Sequence, residues 1–70
     1  MKPLILADDG ERVSIVKVCG DHMLKMRLKS MGLVPGEKIT VISGTGGNFV
    51  IKTKDSRIAI GKECAAKIFV

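Results

Sequence analysis

The sequence predicts a mainly β fold: a small barrel of about five strands, with one α-helix inserted between strands 1 and 2 and a short helical turn before the last strand. Three observations carry this. Runs of β-branched and other apolar residues recur at short spacing, separated by Gly, Pro, Asn and Asp. One stretch alone, Asp21 to Gly36, has the helical period together with a start and a stop. At 70 residues the chain buries only roughly 60% of its extended surface, and closing a small sheet on itself removes the exposed edges such a chain can least protect.

The helix has four local signals. Asp21 is a good N-cap, because its carboxylate accepts a bond from a free amide of the first turn. Gly32 suits the C′ position, where a left-handed backbone is needed. With Gly32 at C′, Leu28 falls at C3 and Leu33 at C″, the pair that closes a Schellman motif. Pro35-Gly36 then fits the two central positions of a type II turn. At ~100° per residue, Leu24, Leu28 and Met31 form the inward stripe. His22, Lys25 and Lys29 face water, Met26 falls among them, Met23 lies at the boundary, and Arg27 flanks the stripe on the Met23 side.

Around the helix the chain reads as strands. Pro3 to Ala7 is an apolar arm or a single turn, followed by the turn Asp8-Asp9-Gly10. Glu11 to Cys19 is the first strand. Val13 and Ile15 share one face while Val16 and Val18 share the other, so a bulge or strong bend is expected within it. Glu37 to Ser43 places Ile39 and Val41 inward. Gly44 to Asn48 reads as a hairpin connection, since it lacks the Lys-Ser/Thr of a phosphate loop and no helix follows it. Phe49 to Lys54, the turn Lys54-Asp55-Ser56 and Arg57 to Ile60 follow. Gly61 to Ala66 makes the helical turn, and Lys67 to Val70 the last strand. No repeat, linker or low-complexity segment divides the chain, so residues 1–70 are expected to form one domain.

Twelve Lys and Arg against seven Asp and Glu give a net charge of +5, which suits an acidic partner. The cations are scattered, and two Phe offer little for base stacking. Nucleic-acid binding by a basic small barrel is therefore a third-rank reading. No apolar run approaches the ~20 residues that span a bilayer, and Leu4 to Ala7 is too short for a signal peptide. A cytosolic chain is expected. Cys19 and Cys64 lack a CxxC partner, and in that compartment they read as free thiols.

No enzyme constellation is present. There is a single His, no nucleophile–base pair on a recognisable scaffold, and Glu37 and Glu63 are isolated carboxylates at turns and ends. A metal site is a sharper alternative. Cys19 and His22 lie three residues apart across a strand-to-helix turn, and Cys64 brought near them would complete a Cys2His set for zinc or ferrous iron. Against it, Asp21 is used as a cap, and the expectation is no resident cofactor beyond weak Fe(II) or Zn binding. The preferred reading is a binding module. Met23 and Met26, with Lys25, Lys29 and Arg27 as a cationic rim, would meet a partner, because thioethers adapt to an apolar surface. The competing account packs Met23 and Met26 on the arm Leu4-Ile5-Leu6.

The stretch Arg27-Leu28-Lys29-Ser30-Met31-Gly32-Leu33-Val34-Pro35-Gly36-Glu37 resembles the signature of the FeoA family, small SH3-like proteins of bacterial ferrous iron uptake. Gly10-Glu11, Ile58-Ala59-Ile60, Glu63, Ala65, Ile68 and Val70 also match that family. The chain departs from its pattern at Asn48, where Pro is common, and at Gly61, where a basic residue is. The fold is also similar to the C-terminal SH3-like domain of DtxR-type repressors. No DNA-binding or dimerisation domain precedes it here, which favours a stand-alone protein. The resemblance implies an SH3-like barrel and a cytoplasmic accessory or regulatory role in Fe(II) uptake. It further implies contact with the FeoB-like ferrous iron permease, through its G-protein domain or an adjacent region at the inner membrane. Cys19, His22 and Cys64 lie outside the family signature.

Overall fold

A computed structural model describes residues 1–44 and 48–70. Its strands are β1 (Arg12–Ser14), β2 (Lys17–Val18), β3 (Lys38–Ser43), β4 (Asn48–Lys52), β5 (Arg57–Gly61) and β6 (Ile68–Phe69). Helix α1 spans His22–Ser30 and α2 spans Lys62–Ala65, while Leu4–Leu6 forms one 3-10 turn. The mainly β class with one principal helix and a short one before the last strand is therefore what the residue pattern predicts.

The expected closed barrel is not formed. Strands β1-β3-β4-β5 make an antiparallel four-stranded sheet, and β2-β6 make a separate two-stranded one. The reason lies in two adjacent residues. The Ile15 amide donates to Glu37 O at 2.9 Å, whereas the next amide, that of Val16, donates to Phe69 O at 2.7 Å. The chain thus changes sheets where its apolar face changes. The single first strand expected over Glu11 to Cys19 is really β1 and β2, and α1 sits between β2 and β3. Among the described residues the strands number six, and β1 does not pair with β5.

The arm completes the smaller sheet. Lys2 and Val70 exchange backbone bonds at 2.8 Å in both directions, and Pro3 bridges to Phe69. Leu4 is fully buried while Leu6 stays exposed. On the larger sheet, Ile39, Val41, Phe49, Ile51 and Ile60 point into the core and meet Ile15, Leu28, Leu33, Ala65 and Ile68. These are the inward positions that period-two alternation selects. The pairing of β3 with β4 shifts register between Val41 and Ser43, a bulge that the sequence does not announce. The connection from Gly44 to Asn48 joins antiparallel strands, but Thr45, Gly46 and Gly47 lie outside the described residues. At the next turn the Thr53 amide donates to Ser56 O at 2.8 Å and its hydroxyl accepts from the Ser56 amide at 3.3 Å, which satisfies a buried polar side chain.

Candidate functional site

The helix is held at both ends by its own residues. Asp21 Oδ1 accepts from the Leu24 amide at 2.8 Å. At the other end the Leu33 amide donates to Leu28 O at 2.9 Å and the Gly32 amide to Lys29 O at 3.0 Å, the two bonds of a Schellman motif. Gly32 has φ +83° and Gly36 φ +93°, so both occupy the left-handed region that favours glycine. The Glu37 amide closes the Val34–Glu37 turn onto Val34 O at 3.1 Å, and the Gly36 amide donates to Ile15 O at 2.8 Å, fastening the turn to the strand break. Leu28 is thereby fixed in the core with Leu24 beside it.

This orientation turns the two methionines outward. Met23 is 79% exposed and Met26 52% exposed. Together with Asp21, His22, Leu24 and Arg27 they line an open depression of about 550 Å³. The competing account, in which the N-terminal arm covers them, does not hold at these exposures; the 3-10 turn of that arm packs on α2.

The expected rim is divided. Arg27 borders the methionine depression, but Lys25 and Lys29 border another, smaller one of about 210 Å³ on the helix's other flank. Its remaining walls are Val18, Leu33, Val34 and Pro35. Periodicity places the helical residues; it does not show that Val18 of β2 would wall a second groove, because that proximity comes from the sheet change at Val16.

Cys19, His22 and Cys64 do not form a ligand set. The Cys19 amide donates to Lys67 O and the Lys67 amide to Cys64 O, so both cysteines flank one residue, while His22 is exposed in the first turn of α1. Both thiols are free and half-buried. Among the described residues, no three His, Cys, Asp or Glu side chains gather as a metal site would need.

The FeoA domain family matches residues 2–70. The chain belongs to the FeoA family. A relative from Methanocaldococcus jannaschii named Fe(2+) transport protein A is 43% identical over 70 residues, covering all of this chain and 85% of the relative. Among solved structures, an iron uptake regulatory protein (FeoA) superposes with a TM-score of 0.86 at 36% identity, covering 94% of this FeoA-family chain and 89% of that one. A manganese-dependent transcriptional repressor superposes with a TM-score of 0.91 at 17% identity, over 99% of this chain but 40% of the repressor. That likeness is one of fold, the SH3-like module that the family shares with the repressors. Among the described residues, no helix is long and apolar enough to cross a membrane.

Proposed function

We propose that this chain is a non-catalytic, cytoplasmic accessory protein of ferrous iron transport that acts by contact with the FeoB-type permease. Membership of the FeoA family supports the transport role, as does a relative named for Fe(2+) transport. The observation that carries the contact reading is the exposure of Met23 and Met26 on a helix whose two ends are fixed. Folding leaves most of Met23 and half of Met26 exposed, and thioethers shape themselves to an apolar partner at low geometric cost. Arg27 on one flank and Lys25 and Lys29 on the other act as rim charges, which chiefly raise the on-rate. Cys19, His22 and Cys64 hold no resident ion in this reading.

The test pairs a thermal melt with a titration against the permease's G-protein domain. Met26→Asp leaves the melting temperature nearly unchanged and weakens binding by more than ~1 kcal/mol, because the docked surface would desolvate a charge. Wild-type binding by Met26→Asp would move the contact off the helix. A melt that shifts on addition of chelator would instead favour a resident metal.

A further inference from the structure

The outer face of the larger sheet carries a row of cations. Register sets Arg12 opposite Thr40, Thr40 opposite Lys52, and Lys52 opposite Arg57. Directly opposed residues of antiparallel strands share a face, so these four form one row across β1, β3, β4 and β5. The flanking residues Ile39, Val41 and Ile51 are buried and Ile58 is half-buried, which leaves the row on the side away from the core. Arg12, Lys52 and Arg57 are exposed, as are Lys38 and Lys54. Arg12, Lys38, Lys52 and Lys54 line an open groove of about 560 Å³ with Thr40 and one carboxylate, Glu37. Among the described residues the ion pair formed is Lys2 with Glu11, at 3.0 Å, and none of the groove's cations is paired.

We propose that this face docks an acidic segment of a partner protein in extended conformation. Like charges directly opposed across strands destabilise a sheet, and Lys52 faces Arg57 with neither of them in an ion pair. An anionic partner relieves that repulsion, so covering the face with carboxylates is electrostatically favourable. The dimensions fit. Strand spacing sets Arg12 about 9.5 Å from Lys52 and makes the whole row about 14 Å long. Alternate side chains of an extended segment project to one side at intervals of about 6.6–6.8 Å, so two or three carboxylates reach the row. A nucleic acid fits less well. Sheet faces that take single strands stack bases on aromatic side chains, but Phe49 is in the core and Phe69 lies in the other sheet beneath the Lys17 ammonium, 5.3 Å from its ring centre. Val50 and Ala59, opposed in the pairing of β4 with β5, hold the next outward positions, and neither can stack.

The experiment needs no other protein, so its outcome is separate from that of the helix contact. An isotope-labelled sample is titrated with a short acetylated peptide alternating Glu and Ser, with its Gln-Ser counterpart, and with oligothymidylate of equal charge. The Glu peptide is expected to bind saturably, to move amide signals of β1, β3, β4 and β5 without moving those of α1, and to weaken as salt is added. The double variant Lys52→Thr, Arg57→Thr lowers its affinity at least ~10-fold, about 1.4 kcal/mol, and leaves the melting temperature unchanged or higher, since the opposed charges are gone. Arg12→Ser on the edge strand gives the same direction of change and serves if the double variant melts lower. No saturable binding, or equal affinity in these variants, overturns the proposal. So does tighter binding of the oligonucleotide than of the peptide, which would assign the face to nucleic acid.

Discussion

The segment from Asp21 to Glu37 and the segment from Lys2 to Val18 are held in opposite ways. In the first, the bonds that fix the helix and its exit are mostly local: Leu24 to Asp21, Gly32 to Lys29, Leu33 to Leu28 and Glu37 to Val34, with Gly36 to Ile15 the long-range one. In the second, local bonds shape the turns at Pro3–Ala7 and Asp8–Glu11, but the bonds that place the segment come from far along the chain. Lys2 pairs with Val70, Gly10 donates to Val41 at 2.6 Å, Ile15 donates to Glu37 and Val16 to Phe69. The local segment presents side chains at angles its own backbone sets. The other takes its shape from the strands it meets, which is why one run of residues can serve two sheets. A helix capped at both ends and carrying exposed methionines is thus fastened, through Gly36 and Ile15, to a segment placed by distant strands.

The largest expected effect joins the two segments. Leu28 is fully buried, closes the Schellman motif with Leu33 and lies in the same core as Ile15. Leu28→Ala should destabilise the fold by roughly 2–5 kcal/mol as a core cavity. A thermal or denaturant melt checks it, and a loss below ~1 kcal/mol would mean the helix does not carry the core.

Next comes the C-terminal stop of the helix. Gly32 has φ +83° and open space where a Cβ would stand, so Gly32→Val acts chiefly through backbone strain, at about 1–3 kcal/mol. Asp21→Ala removes the N-cap bond and should cost about 1 kcal/mol. Both losses belong to the local segment. If either variant melts like wild type, tertiary contacts rather than local bonds position the helix.

These two ends were the most legible part of the chain, because a cap, a C′ glycine and a Pro-Gly turn are each specified within a few residues. The strand spans and the inward positions Ile39, Val41 and Ile51 follow from alternation in the same way. What escaped was long-range. The apolar residues change face between Ile15 and Val16, which marks a bend, yet nothing local says that the second half will seek Phe69 and leave the sheet open. The wall that Val18 forms beside Lys25 and Lys29 was hidden for that reason. So was the row Arg12–Thr40–Lys52–Arg57: the cations look scattered in order along the chain, and only strand register lines them up.

The smallest effect probes the long-range segment through pH. Glu11 precedes β1, where its amide donates to Asp8 O and its own carbonyl accepts from the Val41 amide. Its carboxylate accepts from the Asp8 amide at 2.9 Å and from the Lys2 ammonium at 3.0 Å, and these donors, the amide foremost, hold the carboxyl below its ordinary value. A carboxyl depressed in the fold titrates at higher pH when unfolded, so acidification protonates the unfolded chain first and pulls the equilibrium towards it. Its contribution is therefore present above the unfolded value, about 4.3 for Glu, and is lost as pH falls through the folded one. Glu11→Gln removes the charge and should melt slightly below wild type at neutral pH. The gap should narrow on acidification, because wild type then loses the same interaction. Melts of both proteins from neutral to acid pH decide the matter. Parallel curves would mean that the arm is held by its backbone pairing with Val70, the Pro3–Phe69 bridge and the burial of Leu4, with no share from the Lys2–Glu11 contact.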